Sequence, residues 1–213
     1  MKRNLSYNYI SPILILGSLW GLFEATIGWV MHLVHFKNTS LILYPVAALL
    51  MSIAIRKTGK SSAALGVAAV ASAIKLTNLF YGTVPAYWVL NPALSILLEG
   101  VSVFFVYRIL NNLFSKSTRL TAMIESFVIL FFVQILFTFW RIFSNAYISE
   151  NPNVLSNNYD QLFGTDALVS LYKLSVLFIL TYLIRNVRMD KFNIKLSWSL
   201  FLCVMAIYVN QII

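Results

Sequence analysis

The sequence predicts an all-α polytopic membrane protein, a bundle of about seven transmembrane helices that forms a single transmembrane domain over residues 1–213. Composition points to this class, because 60% of the residues are hydrophobic and only 11% are charged, whereas a soluble domain has about 25% charged residues. Apolar runs of the roughly 20 residues that cross a bilayer recur along the whole length. Little sequence is left for a soluble domain.

Seven apolar segments are the predicted spans. They cover residues 10–35, 40–56, 62–82, 91–112, 120–145, 165–186 and 195–213. The first follows Met1-Lys2-Arg3, a start typical of a signal peptide, but it is long and contains Glu24, so we expect it to remain as a span. The second is short. The seventh contains Cys203, the single cysteine, which excludes a disulfide within the chain.

The third to sixth spans each carry a stripe of small or polar residues at helical spacing. The third span carries Ala64, Ala68, Ala71, Lys75, Asn78 and Gly82, and the fourth carries Pro92, Ser95, Glu99 and Ser102. The fifth carries Gln134, Thr138, Arg141 and Asn145, and the sixth carries Asp166, Ser170 and Lys173. Such stripes either hold helices together or line a polar site, and helix association alone does not need full charges.

Basic residues lie at the N-terminus and in every second connection between spans. They are Lys2 and Arg3; Arg56, Lys57 and Lys60; Lys116 and Arg119; Arg185, Arg188, Lys191 and Lys195. The other three connections together carry one lysine, Lys37. The positive-inside rule then places the N-terminus in the cytoplasm and the C-terminus outside, in the inner (cytoplasmic) membrane of the cell. The net charge of +9 therefore reflects these connections, and we expect a lipid bilayer as partner and no nucleic acid.

Five ionisable side chains lie inside the apolar spans. They are Glu24, Lys75, Glu99, Arg141 and Lys173. Five unpaired charges in a bilayer would cost roughly 12–17 kcal/mol, so they must pair, face water or meet a ligand. The depth of the residues predicts that Glu24 pairs with Lys75, and Glu99 with Lys173 or Arg141. One positive charge is then left over, which favours an anionic or zwitterionic ligand.

The acid–base order repeats along the chain. Glutamate precedes lysine in the first and third spans, and again in the fourth and sixth. This pattern admits an inverted repeat of three plus three spans with one further span, and such repeats place substrate sites near the midplane. The third connection, residues 81–91, is aromatic and uncharged. It is either an interfacial aromatic belt or a lid over an outward-facing cavity.

His32 and His35, the only histidines, are three residues apart on one helix face. They are candidate metal ligands, but a site would need a third ligand, and interfacial histidines would show the same spacing. The sequence gives no other reason to expect a cofactor. It contains no nucleotide-binding or hydrolase motif.

The first span also carries Gly17, Gly21 and Ala25 at a four-residue step, a pattern that lets another helix approach closely. Size, span count and this motif resemble the substrate-binding membrane subunits (S components) of energy-coupling factor transporters. The resemblance implies that Gly17, Gly21 and Ala25 dock a partner subunit, and that a vitamin or metal binds near the outer side. The resemblance is one of topology. The S components with seven spans carry an N-terminal Met-His metal motif, which this chain lacks.

The sequence therefore predicts a protein that binds or transports a small polar solute. The predicted solute-binding residues are Glu24, Lys75, Asn78, Asn91, Ser95, Glu99, Arg141 and Lys173. Energy would come from an ion gradient or a partner ATPase. Two alternatives remain open: an accessory subunit of a larger membrane complex, in which the charges pair between chains, and an intramembrane enzyme that acts on lipid.

Overall fold

The computed structural model describes residues 3–34, 39–80, 85–113, 119–147, 164–185, 187 and 195–212. Within these ranges the side chains of 3–8, 32, 111–113, 119, 145–147 and 185 are not described. The described ranges are helical almost throughout and contain no strand. The α-helices are α1 Arg3–Phe23, α2 Trp29–Leu33, α3 Thr39–Thr58, α4 Ala63–Leu76, α5 Ala86–Leu113, α6 Arg119–Tyr147, α7 Asp166–Arg185 and α8 Leu196–Ile212.

Six helical segments in the described residues are long and apolar enough to cross a membrane. They are Tyr9–Met31, Thr39–Thr58, Ala63–Phe80, Ala86–Leu110, Leu120–Ser144 and Asp166–Ile184. Helices suit this environment because they satisfy every backbone polar group within one segment. The predicted membrane helix bundle is confirmed, and the predicted spans match these segments within a few residues, except at the start of the fourth.

That exception lies in the aromatic connection. Residues 86–91 were predicted to belong to a loop, but they form the first turns of α5. Pro85 precedes the helix, and its carbonyl accepts a hydrogen bond from the Trp88 backbone N–H. Pro92 lies inside the helix. Residues 81–84, the other part of the predicted lid, lie outside the described residues.

α8 is the shortest candidate span. Its 17 residues extend about 26 Å at the usual rise per residue, somewhat less than a typical hydrocarbon core of about 30 Å. Its direction nevertheless matches a seventh span. Ser199 near its start bonds Ser11 in α1, and Asn210 near its end bonds the Ile74 carbonyl in α4. α1, α4 and α8 therefore run parallel, as the first, third and seventh spans of an alternating bundle must.

α1 packs against α3, α4 and α8, while α5 packs against α4 and α6, and α7 contacts both α3 and α6. The close contacts depend on small residues. A Cβ atom on Gly100 of α5 would collide with the Cβ of Ala68 in α4, so these two helices meet at nearly backbone distance. Overpacking at such a contact forces neighbouring groups to shift. Glu99, the preceding residue, is also buried.

Candidate functional site

Four of the five predicted membrane charges converge in the folded chain. Glu99 of α5 forms an ion pair with Lys173 of α7, and Glu24 interacts electrostatically with both Glu99 and Lys75. The segments that contribute them are the second half of the first span, α4, α5 and α7. Residues far apart in sequence thus form one cluster, which we call the charged cluster: Glu24, Lys75, Glu99 and Lys173.

The Glu99–Lys173 pair is the buried part of the charged cluster. Lys173 Nζ lies 3.5 Å from Glu99 Oε1, and the two residues are only 6% (Glu99) and 7% (Lys173) exposed. The ammonium also donates to Gln134 Oε1 at 3.2 Å and lies 4.9 Å from the ring centroid of Tyr44, an arrangement that attracts a cation to the ring face. The predicted pairing of Glu99 is confirmed for Lys173.

Asp166 extends this network and was not predicted as a site residue. It is 4% exposed, and its carboxylate accepts hydrogen bonds from Thr138 Oγ1 at 2.7 Å and from Gln134 Nε2 at 3.3 Å. The side-chain amide of Gln134 therefore links Asp166 and Lys173, because its Nε2 donates to Asp166 and its Oε1 accepts from Lys173. The signal was present in the sequence, because Asp166 lies two turns before Lys173 in the same polar stripe of the sixth span.

Glu24 and Lys75 form the accessible part of the charged cluster. Both residues are partly exposed, and each lies in the electrostatic field of the other. Among the described residues, however, the direct ion pair is Glu99–Lys173 and not Glu24–Lys75. Glu24 and Lys75 therefore interact electrostatically, as the sequence predicted, but they do not form an ion pair in the described residues. The Glu24 carboxylate and the Lys75 ammonium are thus partly exposed charges of opposite sign without an ion-pair partner in the described residues.

The backbone around Glu24 departs from regular α-helix. Residues Glu24–Gly28 form a π-helical segment, and such segments are frequent at functional sites. The Thr26 hydroxyl donates to the Leu22 carbonyl at 2.7 Å. Gly28 leaves space for the acid, because Glu24 Oε2 lies only 3.4 Å from the position that a Cβ on Gly28 would occupy. The local sequence therefore sets the direction of the Glu24 carboxylate.

Two buried donors lie beside the two glutamates. The Trp20 indole N–H is next to Glu24, and the Tyr44 hydroxyl is next to Glu99 and Ser102. Both side chains are fully buried, and neither polar atom makes a hydrogen bond of good geometry in the described residues. Buried polar groups without partners are rare in native proteins. Both therefore mark the charged cluster as a place where hydrogen-bonding capacity is still available.

The predicted asparagine ligands are engaged elsewhere. Asn78, which lies in a 3₁₀ turn at Thr77–Phe80, accepts a hydrogen bond from Asn210 Nδ2 at 2.7 Å. Asn91 accepts hydrogen bonds from Trp140 Nε1 and Ser144 Oγ, both at 2.9 Å. These contacts tie α8 to α4 and α6 to α5. They leave each amide less free to bind a solute than the sequence suggested.

Ser95 and Arg141 are partly exposed. Neither makes a described hydrogen bond or ion pair with the charged cluster. Asp166 thus changes the charge balance that the sequence suggested. Within the described network, the acids are Glu24, Glu99 and Asp166 and the bases are Lys75 and Lys173, so the excess is negative and not positive.

The small residues of the first span contact another part of the same chain. A Cβ on Gly17 would lie 2.6 Å from Val70 Cβ, and one on Gly21 would lie 2.9 Å from Ile74 Cδ1. Ala25 is also buried. In this fold, α4 covers the glycine face that we expected to dock a partner helix.

The predicted histidine pair cannot be placed. His35 lies outside the described residues, and only the backbone of His32, in α2, is described. No group of three His, Cys, Asp or Glu side chains in the described part of the chain could hold a metal ion.

The class that the fold defines is a polytopic α-helical membrane protein with an internal charged cluster. Comparison of the chain with family models, curated proteins and solved structures finds no match. The charged cluster is therefore the basis for a functional proposal.

Proposed function

We propose that this protein binds a small zwitterionic solute between Glu24 and Lys75 and carries it across the membrane. The observation that carries the proposal is that these two opposite charges are partly exposed, interact electrostatically, and form no direct ion pair. A zwitterion supplies the missing contacts, since its ammonium group suits the glutamate and its carboxylate suits the lysine. Charged residues inside a membrane generally mark such sites.

The other residues of the network hold Lys173 in place beside this site. Lys173 is held by Glu99, Gln134 and the Tyr44 ring, so it is not free to neutralise Glu24. The buried Trp20 N–H beside Glu24 offers a further donor for a solute carboxylate. The negative excess of the network disfavours a purely anionic solute, which is why we choose the zwitterionic class.

The orientation predicted from the basic connections opens this site toward the outside, with Glu24 and Lys75 in the outer halves of their spans. Energy for transport would come from an ion gradient or a partner ATPase. The alternative function, an accessory subunit of a larger complex whose charges pair between chains, is not favoured by the Glu99–Lys173 pair, because this pair forms within the chain.

Native mass spectrometry of the protein in lipid nanodiscs, with a mixture of free amino acids as probe, tests the proposal. We expect binding by the wild type and loss of binding in Glu24→Gln and in Lys75→Met. Lys60→Met is the matched control, because Lys60 is exposed at the other end of α4 and stacks on Tyr9. Equal binding in all four proteins, or equal binding of short monocarboxylates that lack an amine, would contradict a zwitterion site.

A further inference from the structure

The hydrogen-bonded network around Lys173 contains two carboxylates and one ammonium group. Lys173 Nζ lies 3.5 Å from Glu99 Oε1 and donates to Gln134 Oε1 at 3.2 Å. The Gln134 amide in turn donates to Asp166 Oδ1 at 3.3 Å. The three charged residues are at most 7% exposed. With both acids ionised, the network has one negative charge in excess, and such a charge is costly inside a membrane.

The other basic side chains inside the spans do not remove this excess. Arg141 of α6 forms no ion pair with Glu99 or Asp166, and Lys75 of α4 forms no ion pair within the part of the chain that the structure describes. The network can therefore accept one further positive charge.

Glu99 is the acid with an unused oxygen. Lys173 approaches only its Oε1, at 3.5 Å, whereas charge-assisted hydrogen bonds are usually about 2.7–2.9 Å long. No described residue donates to Oε2. The Asp166 carboxylate, by contrast, accepts from Gln134 on one oxygen and from Thr138 on the other. A carboxylate can accept on both oxygens, so the free side of Glu99 can bind a cation.

Tyr44 of α3 offers a second oxygen beside Glu99. Its side chain is fully buried, and its hydroxyl makes no hydrogen bond with any described residue. The Lys173 ammonium that contacts Glu99 also lies 4.9 Å from the centroid of the Tyr44 ring, so Tyr44 and Glu99 surround the same ammonium. Buried hydroxyls without a partner are rare in native proteins, and this one therefore indicates a ligand.

Ser102 offers a third oxygen. It follows Glu99 by about one turn of α5, so both residues lie on one face of the helix, and it is also buried. The Ser102 hydroxyl donates to the Glu99 backbone carbonyl at 2.8 Å, which leaves its oxygen lone pairs available as acceptors. The Tyr44 hydroxyl lies beside Ser102. Carboxylate and hydroxyl oxygens are suitable ligands for hard cations.

We propose that the Glu99 carboxylate and the Tyr44 and Ser102 hydroxyls bind one monovalent metal cation. A single positive charge neutralises a network that has one ammonium for two carboxylates. A divalent ion would leave the network positive, and the described residues contain no group of three His, Cys, Asp or Glu side chains that could hold it. In the binding step, protein oxygens replace water around the cation, and no covalent bond changes.

This site would supply the ion coupling for the transport proposed above, and only that use rests on the proposed function. A bound cation repels the Lys173 ammonium toward Gln134, which already accepts from it at 3.2 Å. A zwitterion brings no net charge, so it can bind while the cation stays in place.

Thermal unfolding of the purified protein in detergent, without any solute, tests the cation site. The three arms contain NaCl, KCl or choline chloride at equal ionic strength and pH. We expect the Tm of the wild type to rise with the concentration of sodium or potassium but not of choline, because a ligand that binds only the folded state stabilises it. Glu99→Gln should abolish this rise. Glu125→Gln, at an exposed acid of α6, is the control and should keep it.

Tyr44→Phe is the sharper variant, because it keeps the ring beside Lys173 and removes only the hydroxyl. In choline chloride we expect it to be at least as stable as the wild type, since a buried hydroxyl without a partner is removed. It should lose most of the cation-dependent rise in Tm. Tyr208→Phe, at an exposed tyrosine of α8, should retain the rise.

The same wild-type Tm in all three salts would overturn the cation site, and so would a rise that Tyr44→Phe retains, whether or not Glu99→Gln folds. A rise in only one of the two metal arms supports the site and identifies its ion. A cation-dependent rise that depends on Tyr44, in a protein that fails to bind amino acids, would keep the cation site and reject the zwitterion site.

Discussion

Lys173 is the residue on which the buried charges depend. It joins Glu99 directly and Asp166 through Gln134, and it lies against the Tyr44 ring. A single side chain thus connects α3, α5, α6 and α7. Removal of one partner from a buried pair is costly chiefly because the other charge is stranded.

We therefore expect Lys173→Met to lower the free energy of unfolding by roughly 3–5 kcal/mol. The double variant Lys173→Met with Glu99→Gln should recover part of this loss, because it leaves neither charge alone. Denaturant unfolding in mixed micelles measures both. Additive losses in the double variant would show that the two residues act independently.

The Tyr172 side chain of α7 supplies a hydrogen bond in place of one that Pro45 removes from α3. Proline has no backbone N–H, so Pro45 inside α3 leaves the carbonyl of Leu41, four residues earlier, without its helical donor. The Tyr172 hydroxyl of α7 donates to this carbonyl at 2.6 Å. Lipid offers no water to an unpaired carbonyl, so this hydrogen bond satisfies the Leu41 carbonyl of α3. It also holds α7 against α3 at Tyr172, the residue next to Lys173.

Tyr172→Phe should destabilise the protein by about 1–3 kcal/mol, because it leaves the partly buried Leu41 carbonyl without its donor. Adding Pro45→Ala restores a backbone donor to the Leu41 carbonyl and should rescue most of the loss. Thermal unfolding in detergent compares the variants. Tyr208→Phe, at an exposed tyrosine of α8, is the control, and a double variant no more stable than Tyr172→Phe would reject this explanation.

The spans were predictable because their length and apolarity are local properties of the sequence. The charges at Glu24, Lys75, Glu99 and Lys173 were visible for the same reason. Their partners were not, because the choice between Lys173 and Arg141 for Glu99 depends on how α6 and α7 rotate in the bundle. The role of Tyr172 was also hidden, since it depends on a contact with Leu41, a residue distant in sequence.

The whole chain has one predicted direction in the membrane. The parallel arrangement of α1, α4 and α8 agrees with alternating spans, but it does not say which end faces the cytoplasm. That prediction rests on the basic connections alone.

Single cysteines in a Cys203→Ser background test the direction. Cysteines at positions 37 and 157 should react with a membrane-impermeant maleimide added to intact cells. Those at positions 60 and 188 should react only after the membrane is opened. Labelling of position 60 in intact cells would reverse the orientation, and with it the outward opening of the Glu24–Lys75 site.

The bonds of α8 with the start of α1 and the end of α4 have a consequence for synthesis. Until α8 is inserted, the Ile74 carbonyl and the Asn78 amide lack the partner that Asn210 provides, and Ser11 lacks Ser199. Helix α1 is therefore fastened by a helix that is synthesised much later, α8. The helices that carry Glu24 and Lys75 reach their final packing only after α8 is inserted, so a chain truncated before α8 would insert into the membrane without these contacts.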